Sequence, residues 1–132
     1  MPLSDVQLMF DIDDTGPEVD SLAPSWKVAP PHDIALLVDR RVTAEQYAVS
    51  REMHVARWGL LPSWARSLTS GPPLFNARIE TVAEKKSFAQ AFRKRRCLIP
   101  ANGYFEWKND DGVKTPYYIT SDTPLVFAGL YE

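Results

Sequence analysis

Cysteine is all but missing: Cys97 is the single one in 132 residues. One thiol excludes a disulfide framework and a cysteine-rich zinc site. It also fits a reducing compartment. Histidine is nearly as scarce. His32 and His54 have only Asp33 and Glu52 as acidic neighbours, too few ligands for a metal. No metal and no cofactor is therefore expected. No apolar run of about 18 residues occurs, so no membrane span is expected. The first ten residues carry no Lys or Arg, so no secretory signal pattern is visible. There is no internal repeat and no low-complexity segment. Excess charge is absent too: 15 basic and 17 acidic residues leave a net charge of −2. The strongly basic total that marks many nucleic-acid binders is missing.

What is present is an ordinary globular composition. Hydrophobic residues make up 45%, enough for one domain with a core and against disorder. Eleven prolines point to many turns and irregular connections. The charges are sorted along the chain. Asp5 to Asp20 holds five Asp and one Glu with no basic residue, whereas Arg78 to Lys108 holds eight Lys/Arg against three Glu. A local positive field on an acidic protein follows.

Ser4-Asp5-Val6-Gln7 has capping-box spacing, and Val6, Met9 and Phe10 would line a short helix. Asp11 to Pro24 reads as an acidic loop. Trp26 to Pro31 reads as extended around its prolines. Ile34 to Val38 and Met53 to Trp58 read as strands, the first of them buried. Ser67 to Pro73 reads as a surface loop. Phe75 to Glu80 alternates apolar and polar residues and reads as a strand presenting Asn76, Arg78 and Glu80 on one face. Thr81 to Glu84 is a second capping box, followed by an amphipathic helix over Val82 to Lys94. Cys97 to Ile99 reads as a strand ended by Pro100. Tyr104–Lys108 and Val113–Ile119 flank Asn109-Asp110-Asp111-Gly112, a strong hairpin signal, and Pro124 to Tyr131 is a last strand. The sum is α+β: a mostly antiparallel, barrel-like sheet of short strands with about two helices.

Glu106 lies between Phe105 and Trp107, in a strand expected to join the core. Desolvation there would raise its pKa and suit it to acid–base work. The competing reading is the wet face of an alternating strand. Asn76 and Arg78 could serve orienting and anion-binding roles, but the pattern alone favours a solvated face or an Arg78–Glu80 ion pair. Cys97 follows four cations that could lower its pKa, yet it opens an apolar strand, where a free cysteine behaves as a buried hydrophobe. The basic residues Lys85, Lys86 and Arg93 to Arg96 read as a solvated helix face. Trp26, Trp58 and Trp64 read mostly as core. Trp64, close behind Pro62 and near Arg66, is the one expected to be partly exposed and able to stack an unpaired base.

Several segments together resemble one family. They are Val28-Ala29-Pro30, Arg57-Trp58-Gly59-Leu60-Leu61-Pro62-Ser63-Trp64, Asn76-Ala77-Arg78-Ile79-Glu80-Thr81, Arg96 to Trp107, Pro116-Tyr117-Tyr118-Ile119 and Phe127 to Glu132. In that order they are similar to the SOS response-associated peptidase (SRAP) family. The resemblance implies sensing of abasic sites in single-stranded DNA. It implies an N-terminal cysteine, exposed by removal of the initiator Met. The amine of that cysteine condenses with the sugar aldehyde, and its thiol closes a thiazolidine. It further implies a proposed peptidase activity, linked to self-processing, and a cytoplasmic, nucleoid-associated location. Residue by residue, Asn76 matches the family's active-site asparagine and Glu106 its active-site glutamate. Arg78 matches a phosphate-gripping arginine, and Pro30 and Trp64 match positions packing on the strand.

The departures shape the expectation. Position 2 is Pro2, no Cys-Gly-Arg opens the chain, and no histidine lies in the family's catalytic context. Residues 1–132 then read as one SRAP-like domain lacking the N-terminal cysteine segment and a C-terminal histidine-bearing segment. A trimmed piece is the simplest account, with a degenerate paralogue as the rival. Such a chain is expected to be inactive in crosslinking, since Cys97 has no free α-amine. The alternatives are a non-catalytic DNA-binding or interaction module and, more remotely, a thiol enzyme built on Cys97. An incomplete sheet would also expose an edge able to pair with another copy.

Overall fold

The computed structural model describes residues 1–25, 27–42 and 48–132. The readings placed on Trp26 therefore lie outside the described residues. Two short helices, α1 (Leu3–Met9) and α2 (Ala89–Lys94), accompany five strands: β1 (Asp14–Thr15), β2 (Asp33–Arg41), β3 (Val49–Arg57), β4 (Arg96–Asp110) and β5 (Val113–Leu130). The sheet order is β1-β3-β2-β4-β5. Among the described residues only the β1–β3 pair is parallel. The α+β, mainly antiparallel expectation holds. The sheet is open, with β1 and β5 at its two edges, and its last two strands are long rather than short.

The centre of the sheet is buried on both faces. On one face Leu37 of β2 and Met53 of β3 pack with Val6 of α1 and Val19. On the other, Leu36 and Val38 pack with Cys97 of β4. This explains why Ile34 to Val38 is a continuous apolar run instead of an alternating one. Val19 sits in a single 3-10 turn (Val19–Ser21) inside the stretch read as an acidic loop, and it is 1% exposed. Helix α1 is where expected, but its N-cap is Pro2 with no side-chain cap, and Met9 points outward.

Arg51 ties these parts together. Its guanidinium donates to both Asp39 carboxylate oxygens at 2.7 and 3.0 Å and to the Phe10 carbonyl at 3.0 Å. Its backbone N–H donates to the Asp13 carboxylate at 2.7 Å. Hydrogen bonds from Arg51 hold the Asp39 carboxyl below its ordinary value of 3.8. A depressed carboxyl contributes stability above the unfolded pKa, and loses it as pH falls through the folded one. Both side chains are partly exposed, so the contribution is about 1 kcal/mol or less. Urea midpoints measured from neutral pH downward should show an acid-range loss that Asp39→Asn removes. An unchanged acid profile in that variant would contradict the assignment.

Two readings need correction. The helix expected over Val82 to Lys94 is only Ala89–Lys94, preceded by separate turns in which the Arg78, Thr81 and Lys85 carbonyls accept from residues three and four ahead. From Val82, the positions an apolar stripe needs are Lys85 and Lys86. The stripe resumes only at Phe88, Ala91 and Phe92, where the helix forms. Secondly, Pro100 does not end its strand. β4 continues through it, paired with Val126 of β5. The only registered contact of β4 with β2 is Leu37 to Leu98, so Pro100 lies at a strand margin where a missing N–H is tolerated.

The expected hairpin is present. Asp110 pairs with Val113, and the connecting Asp111 and Gly112 have φ of 48° and 88°. Positive φ at both central residues is the type I′ signature, which Asp-Gly favours. The Asn109 side-chain oxygen accepts from the Gly112 N–H at 3.1 Å and closes the turn.

Candidate functional site

Asn76 and Arg78 do not lie on a strand. Residues 75–78 pair with no strand of the sheet, and Ile79 and Glu80 are in a turn. Alternation produces two faces only where a ladder fixes the pleat, and none does so here. Phe75 and Ile79, expected to back the segment, are 41% and 76% exposed. The segment is instead anchored from the end of β3. The Trp58 indole N–H donates to the Phe75 carbonyl at 3.0 Å, and the Leu60 N–H donates to the Leu74 carbonyl at 2.9 Å. Trp58 thus places Asn76 one residue beyond its own contact, a positioning role the sequence did not suggest. The aromatic at 58 was legible; its partner, a backbone carbonyl 17 residues away, was not.

The same two stretches enclose an open cavity of about 240 Å³, walled by Arg57 to Pro62, Leu68 to Phe75 and Pro31. Pro31 follows Pro30 directly, and Phe75 precedes Asn76. Two of the expected site residues therefore adjoin one cavity through their chain neighbours. Pro30 is held in a turn in which the Ala29 N–H donates to the His32 Nδ1 at 3.3 Å and the His32 N–H donates to the Ala29 carbonyl at 2.8 Å. Arg57 supplies the cavity with a cation. Trp64, two residues past Pro62, is 52% exposed, as expected, and Lys86 Nζ stands 5.3 Å from its ring centroid.

Glu106 is placed differently. It is exposed, on the β4–β5 hairpin opposite Tyr117, and its neighbours Phe105 and Trp107 are 53% and 62% exposed. The core setting expected for this carboxylate is not present, because nothing among the described residues covers either face of the hairpin. Among the described residues, Asn76, Arg78 and Glu106 have no side-chain hydrogen-bond or ion-pair partner, and the Arg78–Glu80 pair is not formed. Of the basic residues, Arg95 is engaged, by an ion pair to Glu132 and a bond to the Tyr131 carbonyl. Lys85, Lys86, Arg93, Lys94 and Arg96 are exposed.

Cys97 is 6% exposed, and burial pushes its thiol up to about 11. A thiol so placed is almost wholly protonated near neutral pH and is a core residue rather than a nucleophile. His54 Nε2 lies 2.8 Å from a Glu52 oxygen. Among the described residues no three His, Cys, Asp or Glu cluster as a metal would need, and no helix is long and apolar enough to cross a membrane.

Fold and site together define an α+β protein. Its exposed Asn-Ala-Arg segment is pinned beside a cavity, and a half-exposed Trp64 carries Lys86 over its ring. The chain belongs to the SOS response associated peptidase (SRAP) family, whose model matches residues 2–132. It is 36% identical over 131 residues to the Abasic site processing protein YoaM of Bacillus subtilis (strain 168), covering 97% of this chain and 54% of that one. It is 32% identical over 107 residues to the Abasic site processing protein HMCES of Rattus norvegicus, covering 76% and 30%. A crystal structure of a protein from Bacteroides thetaiotaomicron is 39% identical with a TM-score of 0.53, covering 60% of this chain and 37% of that one. The chain spans about half the length of the Bacillus relatives it matches.

Proposed function

We propose that this chain takes part in the response to DNA damage by binding single-stranded DNA at abasic sites. The family match over residues 2–132 carries the reading. Arg78 is assigned to a backbone phosphate, and the exposed face of Trp64 to an unstacked base, with Pro30 bordering the strand. Asn76 and Glu106 are assigned the orienting and proton-shuttling roles of the covalent reaction. In that reaction an N-terminal amine and the sugar aldehyde lose water to form an imine. A thiolate on the same residue then adds to the imine carbon, and the nitrogen takes up a proton. The amine and thiol must belong to one terminal cysteine. Cys97 is internal and its amine is in a peptide bond, so Cys97 cannot form this crosslink.

The second reading is a non-catalytic binding module of the same fold. The exposure of Glu106, with no side-chain partner among the described residues, favours it for this chain. Incubation with a single-stranded oligonucleotide carrying one abasic site tests both parts. Retention should fall as salt rises, and Arg78→Ala should reduce the slope of log affinity against log salt by about one. A denaturing gel should show no shifted band. A stable band would overturn the crosslinking statement, and binding indifferent to salt would overturn the phosphate contact. Glu106→Gln and Asn76→Ala in a relative that does crosslink would separate the readings: unchanged crosslinking in both favours the module.

A further inference from the structure

The cavity beside Asn76 is built by one stretch of chain and one proline: residues 57–62, residues 68–75 and Pro31 supply its walls. Its aromatic wall is held from two directions. The Trp58 indole N–H donates to the Phe75 carbonyl at 3.0 Å. The Phe75 ring lies over Gly59, where an added Cβ would come within 3.4 Å of Phe75 Cε1. The loop that carries Leu68 to Gly71 is closed on itself. The Ser67 N–H donates to Ser70 Oγ at 3.0 Å, and the Ser70 N–H donates to the Ser67 carbonyl at 3.1 Å. Arg57 is an exposed cation on the wall and makes no ion pair among the described residues, although Asp33 is its cross-strand neighbour. At about 240 Å³ the space is smaller than the about 300–1,000 Å³ of pockets for drug-sized ligands. It suits one planar ring system rather than a whole nucleotide.

We propose that this cavity takes up the nucleobase flanking the lesion, turned out of the strand, so that an abasic site is recognised through the neighbour of the missing base. The proposal rests on the abasic-site reading given above. Turning a base out of a strand costs the stacking it had, and that cost is least beside damage. An abasic nucleotide offers its neighbour nothing to stack on, so the neighbour exchanges an empty side for the rings of Trp58 and Phe75. The stacking tolerates any base, because every base has a π-face. Arg57, at the wall, takes the phosphate of the extruded nucleotide. Phe75 lines the cavity and Asn76 follows it directly, so a base seated on Phe75 brings the adjoining baseless sugar toward Asn76. Trp64 lies outside this pocket and serves a different base.

Single-stranded oligonucleotides with one abasic site and the fluorescent base 2-aminopurine on its 5′ or its 3′ side test this with the 132-residue chain. Binding should change the emission at one flank. That change should vanish in Phe75→Ala, which keeps the carbonyl that Trp58 holds, and persist in Trp64→Ala. Replacing the responding nucleotide with a second abasic one should weaken binding about tenfold, the scale of one base stacked on aromatic side chains. In Phe75→Ala the two oligonucleotides should bind alike. Arg57→Ala should weaken both equally and flatten the dependence on salt. Circular dichroism checks that each variant folds, and Phe75→Leu, which keeps bulk without a ring, repeats the test if Phe75→Ala does not fold. Equal affinity of the parent for one and for two adjacent abasic nucleotides, or an emission change that survives loss of the Phe75 ring, would overturn the proposal while abasic-site binding stands. No binding to the abasic oligonucleotide would overturn both.

Discussion

Met53→Ala is expected to cost about 2–5 kcal/mol of folding stability, the range for emptying a buried methionine site. Met53 is fully buried, at 0% exposed, where α1, β2, β3 and the Val19 turn meet. Around it, Leu3, Phe10, Ile12, Ala35 and Val55 are only partly covered. The cluster is small, and few neighbours can move inward to fill the space. A typical domain has a net stability of about 5–15 kcal/mol, so the loss takes a large share of it. Met53→Leu, close to volume-conserving, should cost less than about 1.5 kcal/mol. Urea unfolding followed by circular dichroism measures both. If Met53→Ala shifted stability by less than about 1 kcal/mol, the Val6–Val19–Leu37–Met53 cluster would not be the centre of this fold.

The sequence made some of this legible and not the rest, for physical reasons visible in single residues. Ile34 to Val38 was readable because a strand buried on both faces must be apolar throughout. The hairpin was readable because Asp111-Gly112 meets a local backbone demand that few dipeptides satisfy. Val19 was not, since one apolar residue in a 3-10 turn has no periodicity to display among acidic neighbours. Phe105 and Trp107 were expected in the core because alternation reveals that a strand has two faces. It says nothing of what, if anything, lies on either. Asn76 and Arg78 were singled out from an alternation that no ladder here turns into two faces, and only the resemblance to a family gave them definite roles. Their segment makes no ladder, and its position depends on the Trp58 bond to the Phe75 carbonyl, a long-range contact with no local signature.

Gly103→Ala is expected to destabilise the β4–β5 hairpin by about 1–3 kcal/mol, the usual cost of forcing an extra methyl into a filled space. A Cβ at this position would lie 2.5 Å from the Ile119 carbonyl oxygen and 2.5 Å from Tyr118 Cζ. The tyrosine ring could swing aside, but the carbonyl belongs to the ladder and moves only if the strand does. Gly103 also sits where the pairing register jumps, from Ala101 opposite Leu125 to Gly103 opposite Thr120. The site therefore sets the alignment that puts Glu106 opposite Tyr117 three residues later. The damage should be local. Amide exchange should quicken from Tyr104 to Ile119, while the β2–β3 amides, held by the Leu37 and Met53 cluster, keep their protection. If Glu106 serves the proposed site, affinity for abasic-site DNA should fall with the hairpin. Arg78→Ala, by contrast, should lower affinity with no change in exchange. Unaltered hairpin protection in Gly103→Ala would show that the strands can shift to admit a side chain, and that the register at Glu106 is not fixed by this glycine.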